Sequence, residues 1–190
     1  YESNTYLKKD NLFTIIIIGG SQGARIFDEL LNKSFLSIAK NVSLKIIHQT
    51  SEKNINFLKN FYSQNNIECK VFSFDYNLNE ILKQGDLCIT RAGASSLAEL
   101  SFLNIPFVAI PLPSSKDNHQ YENALFYKNK NCCWMLDQKN ITGDLLLNKL
   151  TDIIENKGDY LEKQKNMKNF SYQNNWNRIN EKIIQTINEN

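Results

Sequence analysis

The stretch that decides the fold runs from Thr14 to Arg25 and reads TIIIIGGSQGAR. Its four consecutive isoleucines form a continuous apolar run, which is typical of a strand buried on both faces of a sheet. The glycines that follow permit positive φ angles and close approach of the backbone to a ligand. Beyond them, apolar residues recur at helical spacing from Ile26 to Ile38. The stretch therefore predicts a buried strand, a glycine-rich turn and an amphipathic helix.

The same alternation continues along the chain. Apolar, β-branched runs predict strands at 14–18, 44–47, 69–74, 87–90, 107–110 and 132–136. Helical periodicity predicts helices at 26–38, 55–61, 78–83, 95–102 and 121–128, and from residue 142 to the end. This order predicts an α/β fold, a Rossmann-like parallel sheet with helices on both faces.

Length and composition limit the function classes. The chain has 190 residues, which suits one main domain, and its net charge of +2 gives no strong case for nucleic-acid binding. No apolar run reaches the 18 residues of a membrane-spanning helix. The four cysteines lie in apolar settings without CxxC or histidine-flanked spacing, so they predict buried free thiols and no metal site; they are Cys69, Cys88, Cys132 and Cys133.

The glycine-rich turn after the first strand is the first candidate site. In open parallel sheets, ligands bind beyond the carboxyl ends of the strands. The free amides and the positive end of the following helix favour a phosphate or another anion. The turn is not GxGxxG and lacks the Lys-Ser/Thr pair of a P-loop, so a plain strand-to-helix turn is the alternative interpretation.

The second candidate loop runs from Arg91 to Glu99 and reads RAGASSLAE. Its small residues have amides and hydroxyls that can surround a diphosphate. Glu99 follows Ser96 by three residues, which matches a capping box in the first helical turn. Alternatively, its carboxylate accepts hydrogen bonds from the two hydroxyls of a ribose. The spacing alone leaves both interpretations open.

The third candidate loop runs from Pro113 to Tyr121 and follows the fifth strand. Its residues His119 and Gln120 present donors and acceptors side by side at the start of a helix. Sugar hydroxyls both donate and accept, so such groups suit a sugar. A solvated loop with a helix cap is the alternative.

Two further features carry weaker signals. The stretch Phe74-Asp75-Tyr76 lies at a strand end, where an aromatic ring can flank a base and backbone groups can read its edge. His48 also ends a strand, and we interpret it as a structural residue.

Three motifs, in this order and spacing, resemble the MurG family of UDP-N-acetylglucosamine transferases: GGSQGAR, RAGASSLAE and KDNHQYENA. The resemblance covers nearly all of residues 14–189 and corresponds to the family's C-terminal, donor-binding half. It implies the C-terminal domain of a GT-B glycosyltransferase. The implied reaction is the inverting transfer of GlcNAc from UDP-GlcNAc to undecaprenyl-pyrophosphoryl-MurNAc-pentapeptide (lipid I), which forms lipid II for peptidoglycan. No cofactor or metal is implied in this domain.

The resemblance also implies which residues bind the donor. They share a place in the loops at strand ends: Ser21 and Gln22 at the phosphates, Gly93, Ala94, Ser95 and Ser96 at the diphosphate, Glu99 at the ribose, Phe74 and Asp75 at the uracil, and His119 and Gln120 at the GlcNAc. Many family members have Gln-Gln where this chain has His-Gln. Arg91 matches a family arginine with a supporting role. No catalytic residue is assigned.

The implied domain organisation has three parts. Residues 1–12 correspond to the end of an interdomain linker, 13–170 to the UDP-GlcNAc-binding domain, and 171–190 to a helix that packs across to the N-terminal domain. The family's N-terminal half, with its glycine-rich acceptor loop and the histidine proposed as base, is not in this chain. We therefore expect the chain to hold the donor without completing transfer. The alternatives are a free-standing subunit of a two-chain lipid-linked transferase, a UDP-sugar epimerase, and a nucleotide-sugar-binding module.

The implied partners are UDP-GlcNAc and, through the N-terminal half, lipid I. The implied location is the cytoplasmic face of the bacterial inner membrane, with peripheral contact, although no stretch of this chain indicates a membrane-binding patch. The assigned roles predict that Glu99→Ala weakens UDP and UDP-GlcNAc alike, about ten- to a hundredfold. They predict that Gln120→Ala weakens UDP-GlcNAc and leaves UDP almost unchanged.

Overall fold

The computed structural model describes residues 12–20, 25–171 and 176–188. The strands are β1 (Leu12–Ile18), β2 (Ser43–Gln49), β3 (Glu68–Phe72), β4 (Leu87–Thr90), β5 (Phe107–Ala109) and β6 (Trp134–Met135). The helices are α1 (Arg25–Ile38), α2 (Ile55–Gln64), α3 (Leu78–Leu82), α4 (Ala94–Phe102), α5 (His119–Asn129), α6 (Gly143–Glu155), α7 (Lys157–Ser171) and α8 (Trp176–Asn188).

The six strands form one parallel sheet in the order β3-β2-β1-β4-β5-β6. The chain builds the sheet outward from β1 to β3, then returns to place β4 on the other side of β1. The strand order therefore reverses between β1 and β4, and the loops after these two strands separate to opposite faces. A crevice at such a reversal is where open α/β sheets bind their ligands. The predicted α/β fold is confirmed.

The core has two layers because successive strand residues point to opposite faces of the sheet. Ile15 and Ile17 pack on one face with the buried side chains of α1, α2 and α6. Ile16 and Ile18 pack on the other face with those of α3, α4 and α5. The isoleucine run is thus buried on both sides, which explains why it lacks the alternation of a half-exposed strand.

Two predicted strands are longer than the observed ones. The strand predicted at 69–74 ends at Phe72, so Phe74 lies in the loop beyond it. The strand predicted at 132–136 is reduced to Trp134–Met135. Among the described residues, β6 is an outer strand that pairs with the three-residue β5 alone, so there is little neighbouring backbone to which it can hydrogen-bond. The apolar residues before it pack under helices instead.

Three of the four thiols lie in the core as predicted. All four cysteines are free; Cys88, Cys132 and Cys133 are buried and Cys69 is partly buried. Burial raises the pKa of the Cys133 thiol to about 12. It also raises the pKa of Cys88, which is fully enclosed. Such thiols stay protonated at neutral pH and do not act as nucleophiles.

Candidate functional site

The glycine-rich turn after β1 is described only in part. Gly20 has a φ of +82°, in the left-handed region, and a Cβ there would meet no atom within 4 Å. Glycine is therefore required at this position by backbone conformation and not by space. Ser21 and Gln22 lie outside the described residues, so their assignment to the phosphates stays a prediction.

The loop after β4 leads into a helix without a side-chain cap. Gly93 is the N-cap of α4, in an extended conformation, and makes no capping hydrogen bond through a side chain. Because glycine has no side-chain oxygen, the amides of Ala94, Ser95 and Ser96 in the first turn point beyond the helix without an internal acceptor. With the positive end of the helix dipole, they form an arrangement that suits a phosphate.

The position of Glu99 excludes the capping box. α4 begins at Ala94, so Ser96 is the third residue of the helix and not its cap, and Glu99 lies in the second turn. Ser95 and Glu99 are four residues apart, which places them on the same helical face, and both are exposed. The Glu99 carboxylate is thus next to the uncapped helix end and open to a ligand.

Two side chains of α5 hold the loop after β4. The Oε1 atom of Gln120 accepts hydrogen bonds from the backbone N–H groups of Ala92 (3.2 Å) and Leu112 (3.0 Å). One turn further on, Nδ2 of Asn123 donates to the carbonyl oxygen of Ala92 at 3.0 Å. Both backbone polar atoms of Ala92, which is fully buried, are therefore fixed from α5. This clamp sets the position of Gly93 and of the helix end that follows.

These hydrogen bonds change the role expected for Gln120 and add Asn123 to the candidate site. The Gln120 oxygen is taken up by two backbone amides, so its NH₂ group is the part that can donate to a ligand. Asn123 was not among the predicted site residues. The signal that could have found it is its spacing: it follows Gln120 by three residues within KDNHQYENA and so shares a helical face with it.

His119 is the first residue of α5 and is exposed. Its Nδ1 atom lies 2.6 Å from the carbonyl oxygen of Lys116, so Nδ1 donates and the neutral ring keeps Nε2 as an acceptor. Asp117 and Asn118, just before the helix, both have positive φ angles, 49° and 57°. This tight turn places His119 at the same edge of the sheet as Gln120.

Arg91 connects three elements. Its Nη1 atom donates to the carbonyl oxygens of Ile110 (3.0 Å) and Pro111 (3.4 Å), after β5. Its guanidinium carbon lies 4.9 Å from the ring centre of Phe27 on α1. Burial lowers the pKa of the Arg91 guanidinium. These contacts support the neighbouring loops, in agreement with the role implied for this residue.

The Phe74 loop lies apart from the clamp. β3 is the outer strand, with β2 and β1 between it and β4. Phe74 is 67% exposed, and its ring packs edge-on against Tyr76 at 4.8 Å. The Asp75 carboxylate accepts from the backbone N–H of Asn77 at 2.9 Å and from Lys70 Nζ at 3.1 Å, and these two contacts hold its pKa below the usual value. The loop therefore presents an open ring beyond the carboxyl end of the outer strand β3.

His48 belongs to a buried polar network. Its Nε2 atom lies 3.1 Å from Oδ1 of Asp28 in α1, and its Nδ1 atom lies 2.9 Å from the hydroxyl oxygen of Tyr62 in α2. The second Asp28 oxygen accepts from Thr50 Oγ1 (2.9 Å) and Asn54 Nδ2 (2.6 Å). The network joins α1, β2 and α2 near the glycine-rich turn, which supports the interpretation of His48 as a structural residue.

The described residues offer neither a metal-binding cluster nor a membrane-spanning helix. Residues 12–20, 25–171 and 176–188 contain no group of three His, Cys, Asp or Glu side chains that could hold a metal ion. Over the same ranges, no helix has the length and apolar character needed to cross a bilayer.

The reversal in strand order, the uncapped end of α4 and the clamp from α5 define a class of protein: a Rossmann-like domain of the kind that forms half of a GT-B glycosyltransferase. The family model for the glycosyltransferase family 28 C-terminal domain matches residues 14–179. The chain therefore belongs to this family.

Sequence similarity to named proteins also supports the assignment to this family. The chain is 51% identical over 190 residues to the UDP-N-acetylglucosamine--N-acetylmuramyl-(pentapeptide) pyrophosphoryl-undecaprenol N-acetylglucosamine transferase of Pelagibacter ubique, covering 100% of this chain and 53% of the relative. It is 41% identical over 152 residues to the protein of the same name from Rickettsia massiliae, covering 78% of this chain and 40% of the relative.

A solved structure shows the same likeness. The crystal structure of Acinetobacter baumannii MurG matches with a TM-score of 0.74 and 27% identity, over 84% of this chain and 46% of that one. The chain thus spans about half the length of the relatives that it matches.

Proposed function

We propose that this chain is the donor-binding half of a transferase that moves GlcNAc from UDP-GlcNAc to lipid I in peptidoglycan synthesis. The observation that carries the proposal is the clamp on Ala92, because it aims the uncapped end of α4 into the crevice of a family 28 domain. The proposed acceptor is the one in the names of the Pelagibacter and Rickettsia relatives, a pyrophosphoryl-undecaprenol that carries a muramyl pentapeptide.

The donor would lie along the crevice in an extended form. The diphosphate would sit at the amides of Gly93 to Ser96, and the ribose hydroxyls would donate to the exposed carboxylate of Glu99. The GlcNAc would lie against Gln120 and His119 at the start of α5, and the uracil would reach the open ring of Phe74. Ser21 and Gln22 would approach the phosphates from the turn after β1.

The chemical contribution of this half would be to stabilise the leaving group. When the bond between the sugar's anomeric carbon and the phosphate oxygen breaks, negative charge grows on the β-phosphate. Amides already oriented at a helix end stabilise such charge without having to reorganise during the reaction. Acceptor activation would belong to groups outside this chain, so no residue here is assigned as the base.

The exposed apolar residues of α8 are suited to a contact with another domain. Ile183, Ile184 and Ile187 of α8 are between 51% and 68% exposed. We propose that this apolar face packs against the N-terminal half of the full-length enzyme, as the domain organisation implied by the sequence requires. The lipid acceptor would place the assembled enzyme at the cytoplasmic face of the membrane.

Calorimetric titration with UDP, UDP-GlcNAc and UDP-GalNAc tests the proposal. We expect UDP-GlcNAc to bind more tightly than both UDP and UDP-GalNAc, because the α5 groups would contact hydroxyls whose arrangement differs between the two sugars. Equal affinity for the two sugar nucleotides would favour a nucleotide-binding module without sugar selection. No binding of any of the three would overturn the proposal.

A further inference from the structure

A buried glutamine lies at the carboxyl edge of the sheet, between the two ends of the proposed donor site. Gln49 is the last residue of β2, and its register partners are Ile18 on β1 and Phe72 on β3. Residues paired in this way project from the same face of a sheet, and Ile18 and Phe72 belong to the core layer under α3, α4 and α5. Gln49 therefore lies on the face that carries the helix end at Gly93, and the loop after β3 lies on its other side.

The side-chain amide of Gln49 holds the backbone of the Phe74 loop, residues 73–77. Its Nε2 atom donates to the carbonyl oxygen of Ser73 at 3.3 Å. One residue further along, the backbone N–H of Thr50 donates to the carbonyl oxygen of Phe72 at 2.9 Å. The two carbonyl oxygens belong to successive peptide planes. The backbone is therefore fixed on both sides of Ser73, at the point where the chain leaves β3.

The contact with Ser73 also orients the N–H group of Phe74. The Ser73 carbonyl and the Phe74 N–H belong to one peptide plane, and they point in opposite directions because the described residues contain no cis peptide bond. The Phe74 N–H therefore points away from the Gln49 amide. It makes no hydrogen bond with any described residue, so it can donate to a ligand.

The second polar atom of the Gln49 side chain indicates what the amide contributes. Gln49 is only 9% exposed, and its Oε1 atom has no hydrogen-bond partner among the described residues. A buried acceptor without a partner lowers stability, whereas an apolar side chain of similar length fills the same space without that cost. Only the nitrogen can donate to the Ser73 carbonyl, so the two amide atoms cannot exchange places. The amide therefore contributes its contact with the loop and does not stabilise the edge of the sheet.

We propose that Gln49 is a positioning residue through which the Phe74 loop selects uracil over cytosine. Its contact with Ser73 orients the Phe74 N–H, and this N–H donates to O4 of uracil. Cytosine carries an amino group in place of O4, and an amino group there donates and does not accept. The inference rests on the proposed function, in which the base lies against Phe74.

Competition binding of UDP and CDP tests the proposal on the whole chain. The unchanged chain should bind UDP more tightly than CDP. Gln49→Met keeps a side chain of similar length but removes the donor, so UDP should bind about fivefold more weakly, which corresponds to about 1 kcal/mol for one lost hydrogen bond. CDP affinity should stay unchanged, so the ratio of the two affinities should fall about fivefold. The Tm should be unchanged or raised, because the unpartnered oxygen is removed.

The affinity ratio remains informative even in a less stable variant. Both nucleotides bind the same folded molecules, so a smaller folded fraction lowers both apparent affinities by the same factor. Gln49→Leu is a second variant without a donor and should show the same fall in the ratio, again about fivefold. Inorganic pyrophosphate does not reach the Phe74 loop, so its affinity should be the same in Gln49→Met as in the unchanged chain.

Gln164→Met is the matched control. Gln164 is 8% exposed, and its Nε2 atom also donates to a backbone carbonyl at 3.3 Å, that of Asn104. Asn104 follows α4 and precedes β5, so this contact lies at the amino ends of the strands, on the edge of the sheet opposite the proposed site. The ratio of UDP to CDP affinity should therefore not change in Gln164→Met.

The outcomes separate this inference from the proposed function. An unchanged ratio in Gln49→Met, with or without a fall in Tm, would overturn the inference, as would an equal fall of the ratio in Gln164→Met. Equal binding of UDP and CDP by the unchanged chain would also overturn it, while a preference for UDP-GlcNAc over UDP and UDP-GalNAc would leave the proposed function in place. No binding of any uridine nucleotide would overturn both.

Discussion

Gln120 shows what a single side chain adds to the site. The sequence predicts that it contacts the sugar, so that Gln120→Ala would leave UDP binding almost unchanged. In the structure, its oxygen accepts hydrogen bonds from the backbone N–H groups of Ala92 and Leu112, so the substitution also frees the loop that is proposed to bind the diphosphate. We now expect Gln120→Ala to weaken UDP about five- to tenfold, in line with about 1–1.5 kcal/mol for a lost hydrogen bond.

The loss for UDP-GlcNAc should exceed the loss for UDP, because the NH₂ group contact is removed as well. Calorimetry with both ligands measures the two losses. Tyr121→Ala, at the exposed neighbouring position, serves as the control and should change neither. An unchanged affinity of Gln120→Ala for UDP would show that the clamp does not support the diphosphate site.

Glu99 carries a second prediction at this scale. Its carboxylate is exposed on the face of α4 that also carries Ser95, and a hydrogen bond to a charged group contributes about 1.5–3 kcal/mol. Glu99→Ala should therefore weaken UDP and UDP-GlcNAc alike, about ten- to a hundredfold. Fluorescence competition with the two ligands checks this, with Glu52→Ala as an exposed control. A loss confined to UDP-GlcNAc would place Glu99 at the sugar instead of the ribose.

At the scale of elements, the turn before β4 lies close to the middle of β1. A Cβ on Gly85 would lie 2.5 Å from Cδ1 and 2.7 Å from Cγ1 of Ile16, which is fully buried. Gly85→Ala should thus lower the free energy of unfolding by about 1–3 kcal/mol through overpacking. Urea unfolding measures it.

Gly143→Ala is the matched control for Gly85→Ala. Gly143 is the first residue of α6, and a Cβ there would meet nothing within 4 Å. Alanine favours the helix, so this variant should be neutral or slightly more stable, by up to about 1 kcal/mol. Similar losses in both variants would contradict the steric explanation.

The hydrogen-bond network around Asp28 predicts that the free energy of unfolding depends on pH. Burial alone would raise the pKa of Asp28, but hydrogen bonds, first from His48 and then from Asn54 and Thr50, hold it below its usual value. The unfolded chain therefore binds the proton more readily than the folded one. The stabilisation from Asp28 is complete above about pH 4 and is lost as the pH falls through the folded pKa.

Asp28→Asn should accordingly lower the free energy of unfolding at neutral pH and flatten its decline below about pH 4. Urea unfolding across this pH range measures both effects. Asp152→Asn, which changes an exposed carboxylate on α6, should retain the decline. If Asp28→Asn followed the same pH curve as the unchanged chain, the network would not be the source.

For the molecule as a whole, ligand binding should raise the thermal stability of the fold. The proposed site joins loops from both sides of the strand reversal, so a bound nucleotide stabilises the folded state as a unit. UDP at about a hundred times its dissociation constant should add about 2.7 kcal/mol and raise the Tm. Uridine, which lacks the phosphates, should raise it much less at the same concentration. Equal shifts would mean that the helix end at Gly93 contributes nothing.

The fold was largely predictable from sequence because its signals are local. The isoleucine run of β1 and the apolar periodicity of α1 each predict one element, and β-α alternation predicts how the elements assemble. The length of β6 was not predictable, since it depends on the short β5 beside it. The residue pattern of an outer strand does not reveal how many backbone partners its neighbour offers.

The sequence indicated which loops form the candidate site, but not the contacts between those loops. The loops carrying Gly93 and Gln120 stood out by composition, but the bond between them joins positions 28 residues apart. The contact between the rings of Phe126 and Phe170 was missed for the same reason, because the two residues come from separate helices. Such features arise only when the chain brings distant segments together.

The two hydrogen bonds from α5 to the backbone of Ala92 affect the entropy change of ligand binding. Its nitrogen and its carbonyl oxygen belong to two successive peptide planes, and each plane is pinned by a side chain of α5. Because neither plane can rotate freely, the backbone amides at the start of α4 are already oriented in the absence of a nucleotide. Little entropy remains to be lost by this backbone on association, and we expect the empty and loaded forms to share one loop geometry.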